Sequence, residues 1–114
     1  MNMAGFLLFC VFLVLNPSVF AQVTEEIVVK ATDAVMFQMT ANMKLTQDQL
    51  EAIRPIVTDN IVKIRDLQLG LQRGDIDGKT MYNQREQLIE EEDRKLSYIL
   101  TKDQMKVWIN IQDQ

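Results

Sequence analysis

The side chains that catalyse most reactions in proteins are scarce in this 114-residue chain. It contains no histidine and a single cysteine, Cys10, which lies in an apolar stretch near the start. Acid–base catalysis by imidazole is therefore excluded, and a thiol nucleophile exists only at Cys10. Zinc and similar metals usually take histidine or cysteine ligands, so such a site would have to consist of carboxylates. We expect a protein that is not an enzyme and that uses no cofactor.

Carboxylates are numerous, but their spacing favours structural roles. The acidic run at residues 90–93 is followed by Arg94 and Lys95. This spacing gives i,i+4 pairs between Glu90 and Arg94 and between Glu91 and Lys95, which are typical of a solvated helix face. We therefore expect the acidic run to face solvent rather than to act as a catalytic pair.

The segment DIDG at residues 75–78 is similar to part of a calcium-binding loop. If Gly78 took the invariant glycine position of that loop, the first position would be Arg73 and the twelfth would be Gln84. Those positions require Asp and Glu. The segment therefore predicts a turn and no calcium site of this type.

Three methionines are spaced so that their thioethers share one face of a helix. Met36, Met39 and Met43 are three and four residues apart. Thioether sulfur is a soft ligand that suits Cu(I), so these three residues are candidate metal ligands. The same spacing is that of a packed helical stripe, and methionine is also common at adaptable binding surfaces. The candidates for such a binding surface are Met36, Met39, Ile53 and Val57.

The frame Leu-Thr-x-Asp-Gln occurs twice, as LTQDQ at residues 45–49 and as LTKDQ at residues 100–104. In each copy a threonine precedes a glutamine by three residues, which is the spacing of a capping box at a helix N-terminus. Leu45 and Leu50 flank the first cap, and Leu100 and Met105 flank the second, which is the arrangement of a hydrophobic staple. Both frames therefore predict a helix start. The residues assigned to these two caps are Leu45, Thr46, Gln49, Leu100, Thr101 and Gln104.

Apolar residues recur at steps of three or four through most of the chain, which is typical of α-helices. The strongest turn signal is the segment with Gly70, Gly74 and Gly78. We therefore expect an all-α fold with four helices, over about residues 24–43, 47–70, 80–99 and 102–112. Pro55 removes a backbone hydrogen bond inside the second helix and is expected to bend it.

The predicted second and third helices form a hairpin that brings the two frames together. At 1.5 Å per residue, the second helix travels about 36 Å and the third returns about 30 Å. The second frame should therefore lie beside the first at the open end of the hairpin. A hairpin two helices thick has too little interior for all its apolar side chains, which predicts a homodimer. The side chains concerned are Leu50, Val57, Ile64, Leu88, Leu96 and Trp108.

Residues 1–21 read as a secretory signal peptide. An apolar run at residues 4–15 is followed by Asn16-Pro17 and by the small or aliphatic Val19 and Ala21, which predicts cleavage after Ala21. The run is shorter than the roughly 20 residues of a membrane span. We expect an exported single domain at residues 22–114. Its net charge of −4 and the lack of a basic run argue against nucleic acid as a partner.

Two LTxxQ motifs in a small, exported, all-helical chain resemble the Spy/CpxP family of periplasmic proteins. The resemblance covers about residues 40–112 and is carried by the six cap residues of the two frames. That family contains ATP-independent chaperones and envelope-stress modulators, with metal-responsive relatives. This chain departs from the best-known relatives because it is acidic rather than basic and because its hairpin is shorter.

The resemblance implies a bent four-helix hairpin that pairs as an antiparallel homodimer and forms a thin cradle. The concave face would hold unfolded or misfolded proteins, and the motif residues would be structural. The leading interpretation is thus a periplasmic holdase or envelope-stress modulator. Two alternatives stay open: a metal-responsive or Cu(I)-buffering protein, and a regulatory partner of a membrane sensor protein.

Overall fold

The computed structural model describes residues 25–112, which form four α-helices and no strand. Helix α1 spans Glu25–Met43, α2 spans Gln47–Arg73, α3 spans Gly78–Ser97 and α4 spans Lys102–Gln112. The predicted all-α fold with four helices is confirmed. Among residues 25–112, none of the helices combines the length and the apolar character that a membrane crossing requires. The predicted signal peptide at residues 1–21 and its cleavage site lie outside the described residues.

The turn between α2 and α3 is shorter than the sequence predicts, because both helices continue into the glycine-rich segment and end there in well-formed caps. Gly74 ends α2 in the left-handed conformation, with φ 78°, and its N–H donates to Leu71 O at 3.2 Å. The Asp75 N–H donates to Gly70 O at 2.8 Å, which completes a glycine-type helix end. At the start of α3, the Asp77 carboxylate accepts from the Thr80 N–H at 2.7 Å.

Helix α2 runs without interruption through Pro55. The proline ring removes the hydrogen bond that would reach the Glu51 carbonyl. Pro55 and Glu51 are both exposed, so that side of the helix is open to water. The position of Pro55 on the outer side of α2 explains why the helix tolerates it.

One apolar core receives side chains from all four helices. Helix α1 packs on α2, and α4 packs on α1 and α3. The buried members of this core are Val28, Met36, Met39, Met43, Leu45, Ile53, Val57, Ile61, Leu96, Leu100 and Trp108. The α2–α3 hairpin is therefore covered along much of its length by the two flanking helices of the same chain.

This cover corrects the argument that the hairpin cannot bury its own apolar residues. Val57, Ile64, Leu96 and Trp108 are all buried within one chain, with Trp108 only 2% exposed. The other two residues of that argument, Leu50 and Leu88, are partly buried. The argument failed because it treated the hairpin alone and left out the area that α1 and α4 cover. Homodimer formation stays a prediction, but the core does not require it.

Candidate functional site

Both predicted capping boxes are present in the structure. At the start of α2, the Gln49 N–H donates to Thr46 Oγ1 at 3.1 Å, and the Thr46 N–H donates to Gln49 Oε1 at 3.0 Å. At the start of α4, the Gln104 N–H donates to Thr101 Oγ1 at 3.1 Å, and the Thr101 N–H donates to Gln104 Oε1 at 2.9 Å. The two frames thus have nearly identical local geometry.

The two caps are also bonded directly to each other, through their glutamine side chains. Gln49 Nε2 donates to Gln104 Oε1 at 2.7 Å, and Gln104 Nε2 donates to Gln49 Oε1 at 3.1 Å. The sequence predicts that the frames lie close together, and the structure adds this reciprocal amide pair. We call the four residues Thr46, Gln49, Thr101 and Gln104 the double cap.

The double cap holds the ends of all four helices. The second N–H of Gln49 Nε2 reaches the Ile99 carbonyl at 3.2 Å, just after α3, and that of Gln104 Nε2 reaches the Met43 carbonyl at 3.2 Å, at the end of α1. Each amide thereby uses both donor hydrogens and accepts two hydrogen bonds, so its polar groups are satisfied. The fixed arrangement and the absence of a free polar group favour a structural role.

The leucines of the two frames anchor the double cap in the core. Leu45 and Leu100 are buried in the same apolar cluster, and Leu50 and Met105 are partly buried against it. The connection from α1 to Leu45 is tight, because Lys44 takes the left-handed conformation with φ 52°. A residue with a Cβ is strained there, and the buried leucine together with the cap bonds holds this turn in place.

The four candidates for a binding surface lie in the interior instead. Met36, Met39, Ile53 and Val57 are all buried in the apolar core. The reason is that the inner face of α1 packs directly on α2, so each helix covers the other's stripe. These residues are inaccessible to a partner in this conformation, which corrects the interpretation that they form an exposed surface.

The three candidate copper ligands occupy the same interior. Met36, Met39 and Met43 are buried in the apolar core, so packing alone accounts for their helical spacing. Within residues 25–112, His, Cys, Asp and Glu form no group of three or more that could hold a metal ion.

The opposite side of α1 faces solvent and carries two large apolar side chains among charged ones. Phe37 is 77% exposed and Val29 is 51% exposed. Ala34 and Ala41 are also exposed, each about one helical turn from Phe37. We call these four residues the outer face of α1. The spacing of Val29 and Phe37, about two helical turns, could have indicated this pair from the sequence. The methionine spacing indicated only the inner stripe.

Charged residues border the outer face of α1. Asp33, between Val29 and Phe37, pairs with Arg54 of α2 at 2.8 Å, and Glu26 pairs with Lys30 at 3.4 Å. All four of these side chains are at least half exposed, so each ion pair contributes little to stability. The arrangement mixes two exposed apolar side chains with ion-paired charged ones, and the apolar pair can contact an apolar segment of another molecule.

The acidic run divides into an exposed half and an inward half. Glu90 and Glu91 are exposed, whereas Glu92 and Asp93 are turned toward α2 and α4. The predicted pairs of Glu90 with Arg94 and of Glu91 with Lys95 are absent from the ion pairs of the described residues. The ion pairs that the described residues do form are Lys30–Glu26, Arg54–Asp33, Lys63–Asp59 and Arg65–Asp66.

The inward half joins α3 to α4 through a single carboxylate oxygen. Asp93 Oδ1 accepts from Trp108 Nε1 and from Gln112 Nε2, both at 2.9 Å. The expectation that the whole run is solvated was wrong, because α4 packs on this part of α3. The spacing could have indicated it: residues 92 and 93 lie on the same helix face as Ile89 and Leu96, which are buried.

Glu92 is the most strongly perturbed titratable group of the described residues. Its pKa is raised from 4.5 to about 8, chiefly because burial disfavours the charged form and secondly because of the negative charge of Asp93. The Asn60 side chain and the positive charge of Lys95 act in the opposite direction. Glu92 is therefore predominantly protonated at neutral pH, unlike a carboxyl group in water.

Comparison of the chain with protein-family models, with curated proteins and with solved structures found no significant match.

Proposed function

We propose that this protein is an exported, ATP-independent chaperone, a holdase or envelope-stress modulator of the Spy/CpxP kind, which binds unfolded proteins in the periplasm. The twin LTxxQ frames support kinship with that family, because they occur as one bonded unit, the double cap, and not as two unrelated helix starts. The signal-peptide pattern of residues 1–21 supports export.

The outer face of α1 carries the proposal. The exposed side of a helix normally carries polar side chains, yet Phe37 and Val29 are largely exposed here. Burial of one such side chain contributes about 1.5–3 kcal/mol, and much of this is offset by the entropy lost on binding. Contact with two of them would give weak, reversible and broad binding. Those are the properties that a holdase needs.

Charge should determine which unfolded proteins bind best. The chain carries a net charge of −4, and Glu25, Glu26 and Asp33 lie on the exposed side of α1. Glu26 and Asp33 are paired with Lys30 and Arg54, so the net negative charge of the whole chain is what favours basic clients through long-range attraction, and salt screens that attraction. Nucleotide should have no effect. The glycine-rich segment ends in Gly78-Lys79-Thr80, but a phosphate-binding loop needs a glycine five positions before Gly78, where this chain has Arg73.

The test is suppression of client aggregation by the purified protein without nucleotide. One basic and one acidic unfolding client are compared at low and at high salt. We expect protection of both, with a preference for the basic client that fades as salt increases. The double variant Val29→Gln/Phe37→Gln should protect less while its melting temperature is unchanged, because both side chains are exposed.

The matched control is Tyr98→Gln, since Tyr98 is an aromatic residue that is 84% exposed but lies outside α1. This control should protect as well as the unmodified protein. Absence of protection for both clients at every ratio would reject the chaperone proposal. Equal protection by the double variant and the unmodified protein would reject the outer face of α1 as the client surface.

Copper buffering remains the alternative. The observation that favours it is that Met36, Met39 and Met43 share one face of α1. The variant Met36→Leu/Met39→Leu removes two thioethers and nearly preserves side-chain volume, so each change should cost less than about 1.5 kcal/mol. Tight Cu(I) binding that this variant loses, together with failure to protect clients, would replace the chaperone proposal. A regulatory partner of a membrane sensor is compatible with holdase activity and would use the same outer face of α1.

A further inference from the structure

Helix α4 is attached to α3 by hydrogen bonds that converge on one acceptor atom. Trp108 Nε1 and Gln112 Nε2 lie one helical turn apart on α4, and both donate to Asp93 Oδ1. Both donor residues are buried, so water does not readily replace the carboxylate. A hydrogen bond to a charged acceptor is worth more than one between neutral groups. Asp93 is therefore the main polar attachment of the C-terminal half of α4.

A second carboxyl group lies directly beside this attachment. Glu92 is the neighbour of Asp93 on α3 and faces Asn60 of α2. The groups that act on it from α3 are Asp93 and Lys95, while α2 presents the uncharged Asn60. The residues that α4 places here, Trp108 and Gln112, are uncharged too. Lys63 of α2 is paired with Asp59 at 2.9 Å, and no ion pair of the described residues includes Glu92.

We propose that Glu92 and Asp93 form a proton-controlled latch, in which protonated Glu92 allows α4 to stay closed on α3 and loss of that proton loosens α4. The neutral Glu92 carboxyl can stay in its partly buried place next to the Asp93 carboxylate. Once Glu92 is ionised, two negative charges lie side by side in a poorly hydrated place. Admission of water is the simplest relief, and α4 covers the Asp93 side of this pair.

Helix α4 is the element best suited to move. It has 11 residues, and an isolated helix of that length is marginal in water. Its N-terminus is held by the double cap, so the opening should be greatest at the C-terminal half, around Trp108 and Ile111. The pKa of Glu92 in the closed state, raised from 4.5 to about 8, sets the pH interval over which rising pH favours the open form.

The single tryptophan of the chain, Trp108, reports directly on the latch. The experiment measures the emission wavelength of Trp108 and its quenching by acrylamide in the purified protein between pH 5 and pH 9.5. We expect a shift to longer wavelength and stronger quenching, with a midpoint no higher than pH about 8, because opening lowers the apparent pKa of Glu92 below its closed-state value. Far-UV circular dichroism should retain most of the helical signal, because only α4 opens.

Three variants make the test specific. Glu92→Gln keeps a neutral polar side chain at every pH, so α4 should stay closed and the transition should be absent. Glu91→Gln changes an exposed neighbour and should leave the midpoint unaltered. Asp93→Asn removes the negative charge that raises the pKa of Glu92, so the midpoint should move to lower pH.

The latch is overturned if Trp108 shows no transition in this pH range, or if the transition persists in Glu92→Gln. It is also overturned if the fluorescence change coincides with loss of the whole helical signal, since that would be global unfolding. A midpoint in Asp93→Asn that is unchanged or higher would contradict the assigned coupling between the two carboxyl groups.

Discussion

At the scale of single residues, the threonines of the double cap make the same local contribution twice. Thr46→Ala and Thr101→Ala each remove the oxygen that accepts the backbone N–H of Gln49 or Gln104. We expect each substitution to lower the free energy of unfolding by about 1 kcal/mol, as is usual for loss of a threonine cap. Urea denaturation measures this loss. Unchanged stability in both cap variants would contradict the role.

Glu92 should make the stability of the protein depend on pH in an unusual direction. Its pKa in the folded state is about 8, above the ordinary 4.5, so the folded state binds more protons than the unfolded state between these values. The free energy of unfolding should therefore decrease as pH rises through this interval, whereas paired carboxylates produce the opposite trend. Glu92→Gln should flatten this dependence and stabilise the protein at pH 9 relative to the unmodified chain.

Denaturant titrations at pH 5 and pH 9 measure the effect. Each unit of pKa shift corresponds to about 1.4 kcal/mol, so a gain of a few kcal/mol at pH 9 is the upper end of the expectation. Glu91→Gln serves as control and should retain the pH dependence. If Glu92→Gln is no more stable than the unmodified protein at pH 9, the carboxyl group is ionised in the folded state without cost.

At the scale of helices, local signals predicted the existence of all four elements, and tertiary contacts decided what they bury. The capping boxes depend on residues three apart, so they could be predicted from the sequence alone. The helix face that residues 92 and 93 share with Ile89 and Leu96 could be read from the spacing, but what covers that face could not be predicted, because it depends on where α4 packs. The methionines likewise have the spacing of a stripe, but only the packing of α1 on α2 assigns that stripe to the core.

The end of α2 shows the same limit and offers a test. The glycine cluster marks the turn, but only the backbone shows that Gly74 alone has a positive φ, 78°, whereas Gly78 begins α3. Gly74→Ala should destabilise the protein by about 1–2 kcal/mol, the cost of a left-handed conformation for a residue with a Cβ. Gly78→Ala is the matched control, since an added Cβ there meets nothing within 4 Å. Equal effects in thermal unfolding would contradict this difference.

At the scale of the whole molecule, the homodimer is still predicted, but the reason for predicting it changes. The expectation began from a hairpin with too much apolar surface, but α1 and α4 cover that surface within one chain. The large apolar side chains that stay exposed are Phe37 and Val29 on the outer face of α1 and Tyr82, Tyr98 and Ile109 outside it. The homodimer now depends on the resemblance to the Spy/CpxP family, and its contacts need not include the core residues from which it was first inferred.

Sedimentation equilibrium can separate self-association from client binding. We expect a homodimer at micromolar concentration, and we expect Val29→Gln/Phe37→Gln to remain one, because the outer face of α1 is assigned to clients. A stable monomer for the unmodified chain would reject the dimer while leaving the client surface intact. A variant that becomes monomeric would instead identify the outer face of α1 as the contact between two copies. Client protection would then have to come from another surface, and Tyr98 and Ile109, which are exposed beyond α1, would be the next residues to substitute.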